Sequence, residues 1–67
     1  MENVGNVIKE RRKVLSITQR ELADLAGVGI NTLTKIERGK ANPSLKVMAS
    51  ILNTLGLEMD IRIKSNK

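Results

Sequence analysis

The 67-residue sequence contains no cysteine and no histidine. The first absence excludes disulfides, thiolate metal sites and thiol catalysis. The second removes the commonest general base and the commonest metal ligand. Phenylalanine, tyrosine and tryptophan are missing as well. The core must therefore be assembled from Leu, Ile, Val, Met and Ala, which favours helices packed through aliphatic ridges. No apolar run approaches the ~20 residues of a membrane span, and Met1-Glu2-Asn3 does not open like a secretory leader. The expectation is a cytoplasmic chain without membrane association. The acids Glu2, Glu10, Glu21, Asp24, Glu37, Glu58 and Asp60 fall at no metal-ligand spacing, and no serine nucleophile or paired-acid constellation is present. Neither enzymatic activity nor a metal or cofactor is expected.

What remains is small and basic. The formal net charge is +5, which suits a polyanionic partner. A chain of this size makes one small domain. It buries only about 60% of its unfolded surface, so association between copies is a natural source of further burial.

The stretch from Thr18 to Gly39 organises the chain. Thr18 followed three residues later by Glu21 is a capping box, the start of a helix reaching Ala26. Leu22, Leu25 and Ala26 are spaced as one apolar face. Ala23 is small enough to let two helices cross closely. Gly27 allows a left-handed stop. A second short helix runs from about Gly29 to Arg38, with Leu33 and Ile36 turned inward and Gly39 ending it. Its outer face carries Asn31, Thr32, Thr34, Lys35 and Arg38, all donors, acceptors or cations. Such a face can enter the major groove and hydrogen-bond base edges.

Around this pair, Asn3 caps a first helix from about Val4 to Leu15, with Val4, Ile8 and Leu15 near one face and Val7 or Arg11 beside it. Lys9, Arg11 and Lys13 form a solvated basic face, from which some could approach phosphates. Ile17 is placed as a hydrophobic staple before Thr18. Pro43, the single proline, marks a loop. Ser44 caps a last helix whose stripe is Leu45, Met48, Ile51, Leu52 and Leu55, closed by Gly56. Met48 is core filling. From Leu57 to Lys64 apolar and polar residues alternate without exception, the pattern of a half-buried strand. Nothing else in the chain offers a partner strand, so two copies of Leu57, Met59, Ile61 and Ile63 pairing antiparallel would complete it; the alternative is a frayed tail.

Thr18-Gln19-x-Glu21-Leu22-Ala23-x-x-Ala26-Gly27-Val28, followed by Leu33-x-x-Ile36-Glu37-x-Gly39, resembles the Xre/Cro/C1 family of phage-repressor-like helix-turn-helix proteins. The likeness covers roughly Val4 to Leu57. It implies an all-α phage-repressor-like domain of about four helices over residues 1–56; many such domains place a fifth helix next, whereas the alternation here makes residues 57–67 a C-terminal strand and tail for dimerisation. It implies an ion pair between Arg12 and Glu37. It places base reading on Gly29, Ile30, Asn31, Thr34 and Lys35, has Gln19 contact the DNA backbone and brace the first recognition residue, sets Lys40 and Asn42 near phosphates, and counts Thr18 among the DNA-binding residues. Asn31 suits adenine, and Lys35 suits guanine or a phosphate. Ile30 departs from the polar residue common there; it could meet a thymine methyl or simply pack. Gly29 replaces the usual Ser or Thr cap and weakens the helix start by a few tenths of a kcal/mol. The implied function is a homodimeric regulator, a repressor acting on double-stranded DNA at a palindromic operator. The C-terminal alternation resembles the HipB-type antitoxins, which would add a HipA-like toxin as partner.

Overall fold

A computed structural model describes residues 3–60. Among them are four α-helices and no strand: α1 (Val4–Val14), α2 (Gln19–Ala26), α3 (Ile30–Glu37) and α4 (Leu45–Thr54). α2 sits at the centre, against α3 on one side and α4 on another, and α1 packs on α3.

Local chemistry starts each helix. The Asn3 side chain accepts from the Gly5 N–H at 2.7 Å, and Ser44 accepts from Val47 N–H at 3.2 Å. At α2 the capping box is complete. Thr18 Oγ1 accepts from Glu21 N–H at 3.0 Å, and Glu21 Oε1 accepts from Thr18 N–H at 2.8 Å. α2 stops at Gly27, whose φ of 71° no branched residue would adopt cheaply. The Val28 N–H then folds back onto the Ala23 carbonyl at 2.9 Å, satisfying an orphan acceptor of the helix end. The chain is turned there through the tight corner that separates α2 from α3.

The core is wholly aliphatic: Ile8, Leu22, Ala23, Ala26, Leu33, Ile36, Ile51, Leu52 and Leu55. Ile17 and Met48 pack against it from its edge. Ala23 is buried where α2 meets its neighbours, as the small-residue argument requires.

Four residues expected on apolar faces lie outside the core. Leu25 is 68% exposed. The buried arc of α2 runs through Leu22, Ala26 and Ala23, and at 3.6 residues per turn Leu25 falls about 60° beyond it. Leu45 is 72% exposed, because it is the first residue of α4, ahead of the turn that meets the core. Val4 and Leu15, at the two ends of the α1 stripe, are also exposed.

Among the described residues the C-terminal alternation makes no strand. Leu57–Asp60 carries no regular structure. Leu57 donates its N–H to the Leu52 carbonyl at 2.8 Å and is half-buried against the core, while Met59 is exposed. A single copy offers this segment no ladder to join. Ile61 and Ile63, the other half of the expected strand, lie outside the described residues.

Candidate nucleic-acid interface

α3 divides cleanly into two faces. Leu33, Ile36 and Glu37 are buried. Asn31, Thr32, Lys35 and Arg38 are exposed. Asn31 and Lys35 are four residues apart and so neighbour each other along one ridge. Gly29 is the N-cap and, lacking a side chain, supplies no cap hydrogen bond. Ile30 is half-buried against the core, so of its two possible roles the free chain shows packing. At the far end Gly39 and Lys40 close α3: Gly39 N–H bonds the Ile36 carbonyl at 3.0 Å and Lys40 N–H the Lys35 carbonyl at 2.8 Å. That leaves the Lys40 side chain exposed just beyond the polar face of α3. Asn42 is exposed in the next loop, on the rim of a groove of about 310 Å³ that also includes Asn3, Gly39 and Met48.

The inner side of α3 is held by a polar chain. Arg12 Nε donates to Glu37 Oε2 at 2.8 Å and Arg12 Nη2 to Oε1 at 3.1 Å, a bidentate pair, while Nη1 donates to the Ile17 carbonyl at 3.0 Å. Gln19 Nε2 donates to Glu37 Oε1 at 3.0 Å. The Thr34 hydroxyl has the Ile30 carbonyl at 2.9 Å and Gln19 Oε1 at 3.2 Å as acceptors. Among the described residues no buried side-chain polar atom is left without a partner. Burial alone pushes the Glu37 carboxyl up. The hydrogen bonds from Arg12 and Gln19, with the charges of Arg12 and Lys9, outweigh that and leave it below its ordinary value. The hydrogen bond to Glu37 holds the Arg12 guanidinium above its own ordinary value, against the opposing effect of burial. The carboxylate meets three donors from Arg12 and Gln19, so removing Arg12 would strand a buried charge.

At the start of α2, Thr18 is exposed and Gln19, the first helical residue, is half-buried. Backbone N–H groups in a first helical turn have no intrahelical partner and carry the positive end of the helix dipole. The Thr34 hydroxyl is turned back into the protein, toward the Ile30 carbonyl and Gln19 Oε1.

Three residues carry structural roles that their sequence positions did not suggest. Arg11, expected on a solvated basic face, is half-buried and donates from Nε to the Leu55 carbonyl at 2.9 Å, so it caps the end of α4. Ser50 donates to the Ala26 carbonyl at 2.6 Å and ties α4 to the end of α2. Gly5 is buried in the first turn of α1. A glycine inside a helix at a cost of about 1 kcal/mol was the available signal for the last of these; no local pattern announces the other two. Among the described residues no cluster of acids could hold a metal ion.

Two short helices joined by a glycine turn, with the second one buried on one side and polar on the other, define a helix-turn-helix domain. The family model described as Helix-turn-helix (HTH_3) matches residues 8–61, and the chain belongs to that family, of the Xre/Cro/C1 type. It is 42% identical over 52 residues to an uncharacterised HTH-type transcriptional regulator of Methanothermobacter thermautotrophicus, which covers 78% of this chain and 75% of the relative. It is 38% identical over 56 residues to the immunity repressor protein of Bacillus phage phi105, covering 84% of this chain and 39% of the repressor. The crystal structure of the clp gene regulator ClgR from Corynebacterium glutamicum superposes with a TM-score of 0.80 at 32% identity, over 85% of this chain and 61% of ClgR. The chain thus spans less than two thirds of the phage repressor and of ClgR.

Proposed function

We propose that this chain is a sequence-specific DNA-binding repressor that acts as a homodimer on a palindromic operator. The observation that carries this reading is the split character of α3: Leu33, Ile36 and Glu37 fasten one face, and Asn31, Thr32, Lys35 and Arg38 stand exposed on the other. Asn31 and Lys35 read base edges, Asn31 at adenine. Gln19 with the start of α2, and Lys40 and Asn42 beyond α3, meet phosphates. Residues 1–56 are the DNA-binding part. Residues 57–67 join two copies, placing their recognition helices about 34 Å apart, one helical turn of DNA. Support for the joint comes from the unbroken alternation of Leu57–Lys64 in the sequence. The place of action is the cytoplasm. The antitoxin reading rests on that alternation alone, half of which lies outside the described residues, and no further observation favours a toxin partner.

The test is selection of bound duplexes from a random pool by the full-length protein at near-physiological salt. A palindrome with half-sites about one helical turn apart is the expected result. A lone half-site would overturn the dimer, and no enrichment would overturn sequence-specific binding. Asn31→Ala should relax preference at one base pair in each half-site, at a cost of about 1–3 kcal/mol.

A further inference from the structure

We infer that Thr34 is a positioning residue for the phosphate contact and reads no base. The inference rests on the DNA-binding reading above and narrows its recognition set. The Thr34 hydroxyl has one proton, and both acceptors within reach are internal: the Ile30 carbonyl at 2.9 Å and Gln19 Oε1 at 3.2 Å. Thr34 is half-buried, unlike Asn31, Thr32, Lys35 and Arg38 on the same helix. Its donor is spent inside the protein.

Gln19 is where that donor has an effect. Glu37 Oε1 accepts from Gln19 Nε2 at 3.0 Å, and this dictates which end of the amide is which. A flipped amide would set its oxygen against a carboxylate oxygen. With Nε2 on Glu37, Oε1 faces the Thr34 hydroxyl, whose one proton is shared between Oε1 at 3.2 Å and the Ile30 carbonyl at 2.9 Å. Both ends of the amide are therefore anchored on α3, although Gln19 itself belongs to the first turn of α2. Nε2 retains a second hydrogen, beside backbone N–H groups that have no intrahelical partner. Glu37 is in turn held by the bidentate Arg12. The order Arg12, Glu37, Gln19, Thr34 fixes a phosphate donor to the recognition helix, so that backbone clamp and base reader move as one body.

The experiment compares wild type, Thr34→Val, Thr34→Ser and Gln19→Ala, with the Thr34→Val/Gln19→Ala double variant, in two assays: duplex selection and affinity against salt concentration. Valine keeps the shape of threonine and removes the hydroxyl. The expected result for Thr34→Val is an unchanged consensus, binding weakened by the same factor on every duplex, and an unchanged log–log salt slope, because the Gln19 amide is neutral and only cationic contacts release counterions. Thr34→Ser should restore the affinity, and the double variant should bind no more weakly than Gln19→Ala. A changed base preference in Thr34→Val, wild-type affinity in that variant, or full additivity in the double variant would each overturn the inference while leaving DNA binding intact. A wild-type protein that enriches no duplex would instead overturn the DNA-binding reading, and this inference with it.

Discussion

Gly5 lies against the backbone carbonyls of Ile36 and Glu37, so the first turn of α1 rests on the last turn of α3. A Cβ at Gly5 would stand 2.8 Å from the Glu37 oxygen and nearer still to that of Ile36. Backbone carbonyls in a buried helix end have nowhere to retreat. Gly5→Ala should therefore destabilise the domain by about 1–3 kcal/mol, the usual cost of overpacking. Chemical denaturation followed by far-ultraviolet circular dichroism measures it, since the chain has no aromatic fluorophore.

Arg12 and Lys13 are adjacent in sequence and unequal in structure. Arg12 serves Glu37 twice and the Ile17 carbonyl once, whereas Lys13 is exposed. Arg12→Ala strands a buried carboxylate and should cost about 3 kcal/mol or more. Lys13→Ala should stay within about 0.5 kcal/mol of wild type. Equal melting temperatures for the two variants would refute the assignment.

Acid should act through Glu37. Its carboxyl lies below its ordinary value in the folded chain, because the donors and charges around it outweigh its burial. A group whose folded value is depressed contributes stability that is fully present above its unfolded value, about 4.3 for glutamate. That contribution is lost as pH falls from there through the lower folded value. Melting temperatures between pH 7 and 3 should fall more steeply below about pH 4.3 for wild type than for Glu37→Gln, which has no proton to take up at this position.

Leu22 and Leu25 test where the core ends. Leu22 is fully buried and Leu25 is mostly exposed. Leu22→Ala should cost about 2–5 kcal/mol and Leu25→Ala no more than about 0.5. Comparable losses in a denaturant titration would mean that both side chains face the interior.

The elements legible in the sequence are those written in local chemistry. Thr18 with Glu21, Asn3, Ser44, Gly27 and Gly39 act within three or four residues of themselves, and the helix ends fall at or within a residue or two of them. The Arg12–Glu37 pair followed from resemblance, since nothing local joins residues 25 positions apart. Periodicity overreached where a helix is short. Over eight residues, several arcs fit the apolar positions of α2, and only the placement of α3 and α4 selects the one through Ala23 in place of Leu25. The bond from Arg11 to Leu55 spans 44 positions and depends on how α4 returns to α1. The inward turn of Thr34 depends on Gln19 arriving from another helix. Both are products of assembly and leave no trace in spacing.

Arg11 and Arg12 stand side by side on α1, about 100° apart around its axis. One grips the end of α4, the other the end of α3. This makes α1 a strut between the recognition helix and the point where the chain leaves α4 for its C-terminal segment. If two copies join through that segment, as proposed above, their two α3 helices would act as the fixed jaws of a caliper. An operator whose half-sites are slightly too near or too far must then twist or bend to fit. The uncontacted base pairs at its centre would be selected for their stiffness, a layer of specificity written in DNA mechanics.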